Sequence, residues 1–217
     1  MTTDPHADEL LFWALESSTG DTTCWLRIDR WAPADSPSDA SDDVAQRAVS
    51  TLMAQELVTG KRAITHHVVE FSLTPAGVRE AERRREAVAS RRARLEYAEN
   101  VILNWVFETA SPGRPVELID FIGCPASFFY SSRLTAEEIT EAASSLVGLR
   151  MLTTTGGPLT GAWLEPEGRS CVMSGLPVRE YLRGNGVQLV QHIHSGGVGA
   201  QGVDVTQHHG DRRNRAL

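Results

Sequence analysis

The sequence predicts a mainly α protein with small β-hairpins, made of two copies of one module and a glycine-rich, β-type C-terminal tail. Two observations carry this expectation. First, four blocks recur in one order: Trp13-Ala-Leu-Glu-Ser17 with Trp105-Val-Phe-Glu-Thr109, Ile28-Asp29 with Ile119-Asp120, Leu52–Thr59 with Leu146–Thr153, and Leu73-Thr-Pro-Ala-Gly77 with Leu164-Glu-Pro-Glu-Gly168. Their offsets run only from 91 to 94, and the changes fall where loops tolerate insertion. Second, apolar residues in each copy recur first at helical and then at alternating period. The expected units are a first domain over 1–80, an Arg-rich linking helix over 75–109, a second domain over 95–183 and the tail over 184–217.

Each copy opens on an amphipathic helix, marked by Leu10, Leu11, Ala14 and Leu15 in the first and by Leu95, Ala98, Val101, Ile102, Trp105 and Val106 in the second. A short β-type run follows, Cys24–Ile28 or Pro115–Ile119. The second helix of copy one is expected over 42–57, capped by Ser41, with Val44, Ala48, Val49 and Leu52 inward. In copy two Thr135 and Glu138 make a capping box, in which hydroxyl and carboxylate satisfy free N–H groups at the helix start. Ile139, Ala142, Ala143 and Leu146 then face inward.

Alternation follows. Leu57-Val58, a tip at Gly60-Lys61-Arg62 and Val68–Leu73 read as one hairpin; Met151-Leu152, Gly156-Gly157-Pro158 and Ala162–Leu164 read as the other. Pro75 and Pro166 start the next helices, in a first turn where the missing N–H costs nothing. From Pro75 to Thr109 there is one glycine and no internal proline, so the join forms one long helix or two abutting ones.

Helix, strand, helix, helix, hairpin and helix in this order resemble a winged-helix domain. The wording Leu-Thr-Pro-Ala-Gly-Val-Arg-Glu-Ala-Glu at 73–82 is similar to the post-wing segment of MarR-like and PadR-like bacterial regulators. The resemblance implies two tandem winged-helix domains, covering about 165 residues, and a helix before the hairpin that reads DNA. In copy one the outward residues of that helix are Asp43, Gln46, Arg47 and Ser50. Gln46 suits adenine, and Arg47 suits guanine or phosphate. Lys61, Arg62, His66 and His67 stand in the adjacent wing, while Asp42 and Asp43 oppose a groove. An ordinary solvated helix face is the alternative.

The matching positions of copy two are Glu137, Thr140, Glu141 and Ser144, so a carboxylate replaces Arg47 and repels phosphate. That face suits packing or a protein partner. Phe128-Phe129-Tyr130 is either a contact patch or core filling. Along the join lie Arg79, Arg83, Arg84, Arg85, Arg91, Arg92 and Arg94. They form a phosphate-contacting strip, a solvated linker paired with nearby glutamates, or a contact with the acidic first module. The DNA-binding candidates are accordingly Gln46, Arg47, Ser50, Lys61, Arg62, Arg83, Arg84 and Arg91.

Net charge narrows this. The formal charge is −7, and the first 74 residues alone hold 5 basic against 12 acidic groups. A general coat for nucleic acid, which works by neutralising phosphates, is excluded; a local basic surface is not. In the tail Gly184–His194 and Val203–His209 alternate around Ser195–Gly202, and exposed strand edges are a route to self-association. His192, His194, His208 and His209 lie there without cysteine or carboxylate support, and read as polar strand residues rather than metal ligands.

Phosphate-loop, nucleophile-elbow and zinc-helix motifs are absent, so no cofactor, metal or enzymatic activity is expected. No run approaches the ~20 apolar residues of a membrane span. The acidic N-terminus and three cysteines fit a cytoplasmic protein. The expected function is an oligomeric transcriptional regulator bound to double-stranded DNA, associating through domain 2 or the tail. The alternative is an adaptor that uses its winged-helix surfaces and a self-associating tail to bind protein.

Overall fold

The first helix, α1 (Pro5–Ser18), starts where Asp4 accepts the His6 amide and Pro5 occupies the first turn; it stops at Thr19, whose φ of 51° is left-handed. In this computed structural model, which describes residues 4–33, 41–64, 67–111, 113–157 and 160–184, the chain is mainly helical with small antiparallel sheets. After α1 come β1 (Leu26–Arg27), a 3-10 turn (Ile28–Arg30), α2 (Ser41–Ala54), β2 (Val58–Arg62), β3 (Val68–Leu73) and α3 (Pro75–Ala89). The next stretch holds α4 (Arg91–Thr109), β4 (Val116–Glu117), a 3-10 turn (Leu118–Gly123), β5 (Phe128–Phe129), β6 (Ser132–Arg133) and α5 (Ala136–Gly148). It closes with β7 (Leu152–Thr154), β8 (Gly161–Leu164), α6 (Pro166–Ser174) and α7 (Val178–Gly184).

The same construction occurs twice. One sheet has the order β1-β3-β2 and the other β4-β8-β7, each antiparallel with the late strand in the centre. The turn after α2 places Glu56 at φ 59°, and the turn after α5 places Arg150 at φ 57°. The next amide reaches back in both, Leu57 N–H to Leu52 O at 3.0 Å and Met151 N–H to Leu146 O at 2.9 Å. The carbonyls of Leu57 and Met151 in turn accept from Thr74 and Glu165, each at 3.0 Å. Gly77 and Gly168 pack directly on those two carbonyls, where an added Cβ would overlap the oxygen. The repeated Leu-x-Pro-x-Gly block thus has one physical cause: the first turn of α3 or α6 must touch backbone.

Buried apolar side chains form two clusters. Leu10, Leu11, Leu52, Phe71 and Leu73 anchor one, and Ile102, Leu103, Leu118, Phe121, Ile139 and Leu146 the other. α3 belongs to both, with Ala81 inside the first and Ala87 and Val88 packed against the second.

The 75–109 join takes the second of its two expected forms, two abutting helices that meet at Ser90, whose N–H closes α3 on Glu86 O and Ala87 O while its hydroxyl accepts the Ala93 amide at the start of α4. Other expectations change. α2 ends at Ala54, because Glu56 turns left-handed, and does not run to 57. Gly60, Lys61 and Arg62 lie within β2 and do not form the hairpin tip. The β5–β6 pair and α7 have no counterpart among the sequence-based expectations. The expected tail strands and His66 lie outside the described residues. Among the described residues no helix is long and apolar enough to cross a membrane.

Candidate nucleic-acid interface

α2 buries Val44, Ala45, Ala48, Val49 and Leu52 and leaves Asp43, Arg47, Ser50 and Ala54 exposed. With Gln46, Thr51 and His67 these line an open groove of about 800 Å³. Arg47 and Ser50 therefore stand where the sequence places them, and Arg47 makes no ion pair among the described residues.

Gln46 is different. Its Nε2 donates to Val68 O at 2.8 Å, and Val68 N donates to its Oε1 at 2.9 Å. β1 covers only Glu70 and Phe71 of β3, so the Gln46 amide supplies the donor and acceptor that a longer β1 would offer Val68. The donor–acceptor edge with which the amide would grip a base is thereby engaged by the backbone of Val68.

On the hairpin, Lys61 sits directly opposite Glu70. Its Nζ is 3.1 Å from the Glu70 carboxylate and 3.8 Å from the centre of the Trp25 ring. Arg62, the last residue of β2, is exposed and without an ion pair among the described residues.

The arginine strip is largely neutralised at home. Arg83 forks onto Glu80 with two bonds of 2.7 Å and donates to the Tyr130 hydroxyl at 3.2 Å. Arg84 is only 8% exposed; it pairs with Asp8, with Glu80 at 2.6 Å and with Gln55 at 3.3 Å. Arg91 reaches Glu141 at 2.7 Å. Arg85 pairs with Glu16 and Arg92 with Glu96. Buried Arg94 holds Glu138, the Ser132 hydroxyl and the Arg133 carbonyl. Only Arg79 of the seven lacks an acidic partner among the described residues. Arg83, Arg84 and Arg91, expected as phosphate contacts, thus stand in ion pairs within the chain. Helical spacing supplies Glu80 to Arg83 and Glu96 to Arg92, glutamates distant in sequence reach Arg85 and Arg91, and burial takes Arg84 out of reach.

These pairs reset the carboxylates. Arg83, then Arg84, holds Glu80 down to about 2. Arg94 holds Glu138 down to about 2 while Glu138 also completes the capping box with Thr135. Asp8 goes the other way: burial outweighs the attraction of Arg84 and raises its pKa, and its Oδ2 has no hydrogen-bond partner among the described residues.

The corresponding face of α5 exposes Glu137, Glu141 and Ser144, with Glu141 at the Arg47 position and bound to Arg91. Of the aromatic run, Phe129 joins the core, and the Tyr97 hydroxyl donates to the carbonyls of Ala126 and Phe128. A further polar tie is not legible from the sequence: buried Glu99 accepts from Arg179 at 2.6 and 2.8 Å and from Ser145 at 2.6 Å, fastening α4 to α7 and α5. Its partners lie 46 and 80 residues away, beyond any local signal. No group of three potential metal ligands occurs among the described residues. Comparison with protein-family models, with curated proteins and with solved structures produced no match to this chain.

Proposed function

We propose that the chain is a tandem winged-helix protein, non-enzymatic and oligomeric, whose first half binds duplex DNA as a transcriptional regulator. One observation carries the reading. Arg47 stands without an acidic partner among the described residues on the exposed face of α2, in an open groove beside the hairpin residue His67, whereas the second half has Glu141 at that position. Arg62 adds, on the same hairpin, a second cation unpaired among the described residues. DNA contact in this reading is confined to α2 and the β2–β3 hairpin, and the arginines of α3 and α4 serve the fold.

A protein-binding adaptor is the second reading, favoured by the second half. There α5 is acidic, and Ile119 and Val147 are exposed at 53% and 37%. Self-association through this half or the tail belongs to both readings.

Titrating labelled duplex DNA with the full chain at rising salt separates them. Each phosphate contact contributes about 0.9 to the slope of log affinity against log salt. Arg62→Ala should lower the slope by about 1 if Arg62 holds a phosphate. Duplex affinity that is absent, or indifferent to salt, rejects the regulator and leaves the adaptor.

A further inference from the structure

We infer that α2 reads a G·C-rich step, with Arg47 on guanine and Asp43 on cytosine, and that adenine readout is absent because Gln46 is withdrawn. This rests on the DNA-binding reading above. Asp43, Arg47 and Ser50 follow one another at i, i+4 and i+7, on one face of α2 and along one groove. Side chains one helical turn apart have Cβ atoms about 5–6 Å from each other, a reach of one to two base pairs at about 3.4 Å each.

The chemistry of the three side chains is selective. In the major groove guanine shows two acceptors, cytosine an amino donor, and adenine an acceptor beside a donor. Arg47 offers only donors, in a fork that fits the guanine pair. Asp43, ionised, offers only acceptors and fits the cytosine amino group. Neither is tied up by an ion pair among the described residues. Adenine is gripped with paired bonds by a side-chain amide, and the one amide among the groove-lining residues is Gln46. Its paired donor–acceptor edge is engaged by Val68 at 2.8 and 2.9 Å. Ser50, a hydroxyl, discriminates poorly. An acidic group beside the phosphates, which looks unfavourable as a backbone contact, is explained as a base contact.

The test is selection from a randomised duplex pool by the full-length chain, followed by affinity measurement on the enriched sequences. The unmodified chain should enrich a G·C step. Arg47→Ala should lose preference for guanine at one position by about tenfold or more. Asp43→Asn, which creates a donor beside an acceptor, should shift the neighbouring position from cytosine toward adenine. Both residues are exposed, so both variants should keep the parent melting temperature. Gln46→Ala should leave the base preference unchanged although it loses its bonds to Val68. An A·T-centred motif, or a preference untouched by Arg47→Ala and Asp43→Asn, overturns the inference while leaving DNA binding intact. Loss of all salt-sensitive duplex affinity in the unmodified chain overturns the DNA-binding reading itself, and this inference with it.

Discussion

Arg84 and Arg47 are the same residue type in one half of the chain, yet one is a buried structural group and the other an exposed cation. Arg84 faces Asp8, which is fully buried, so removing its guanidinium strands a charge. Arg84→Met should cost about 3–5 kcal/mol at neutral pH. The loss should shrink in acid, where Asp8 protonates, and Asp8→Leu combined with Arg84→Met should recover most of it; urea denaturation at two pH values measures all three. Glu80 and Glu138 set a second pH dependence. Their folded values of about 2 lie below the ordinary 4.5, so their stabilisation is complete above about pH 4.5 and is lost as pH falls toward 2. Asp8 has the opposite sign. Its raised value means a contribution present in acid and lost as pH rises through it. The two glutamates outnumber it, and stability should fall from about pH 5 to 2, with Glu80→Gln and Glu138→Gln each flattening the fall.

At the scale of elements, helices and hairpins were mostly legible. The apolar stripes of α1, α2, α4 and α5, the Thr135–Glu138 capping box and the prolines opening α3 and α6 all follow local rules that residues a few positions apart can carry. What escaped was short or depended on a distant partner. The β5–β6 pair has two residues a side and turns at Tyr130 with φ 56°, without the glycine that would announce it. The position of the break at Ser90 is equally silent, since the residue serves as end cap and start cap at once. The glycine of the repeated block is the clearest case of sequence and packing agreeing. Gly168→Ala would drive a methyl into the Met151 carbonyl and the Leu103 side chain. It should destabilise the second half by about 1–3 kcal/mol, read from thermal melting monitored at Trp105 and Trp163.

The whole molecule is held together by α3. Ala81 is buried in the first cluster, Ala87 and Val88 pack on the second, and Arg83 and Arg84 meet Tyr130 of the second half. A single rigid helix shared by two cores couples their unfolding. Denaturation followed by helical circular dichroism and by tryptophan fluorescence should therefore coincide. Val88→Asp puts a charge against the second cluster and should split the transition, with the second half unfolding first; coincident curves in the variant would show that α3 does not couple the halves.

The sequence by itself determined the mainly α character, the doubled module and its internal order, and the contrast between Arg47 and Glu141. Those properties reside in period, repetition and residue type, which neighbours along the chain define. Only the tertiary structure decided which polar groups remain available. Gln46 is consumed by Val68, 22 positions away, and Arg84 by Asp8, 76 positions away. A side chain's freedom to meet a partner depends on what folding has already placed against it, and that is a property of distance in space.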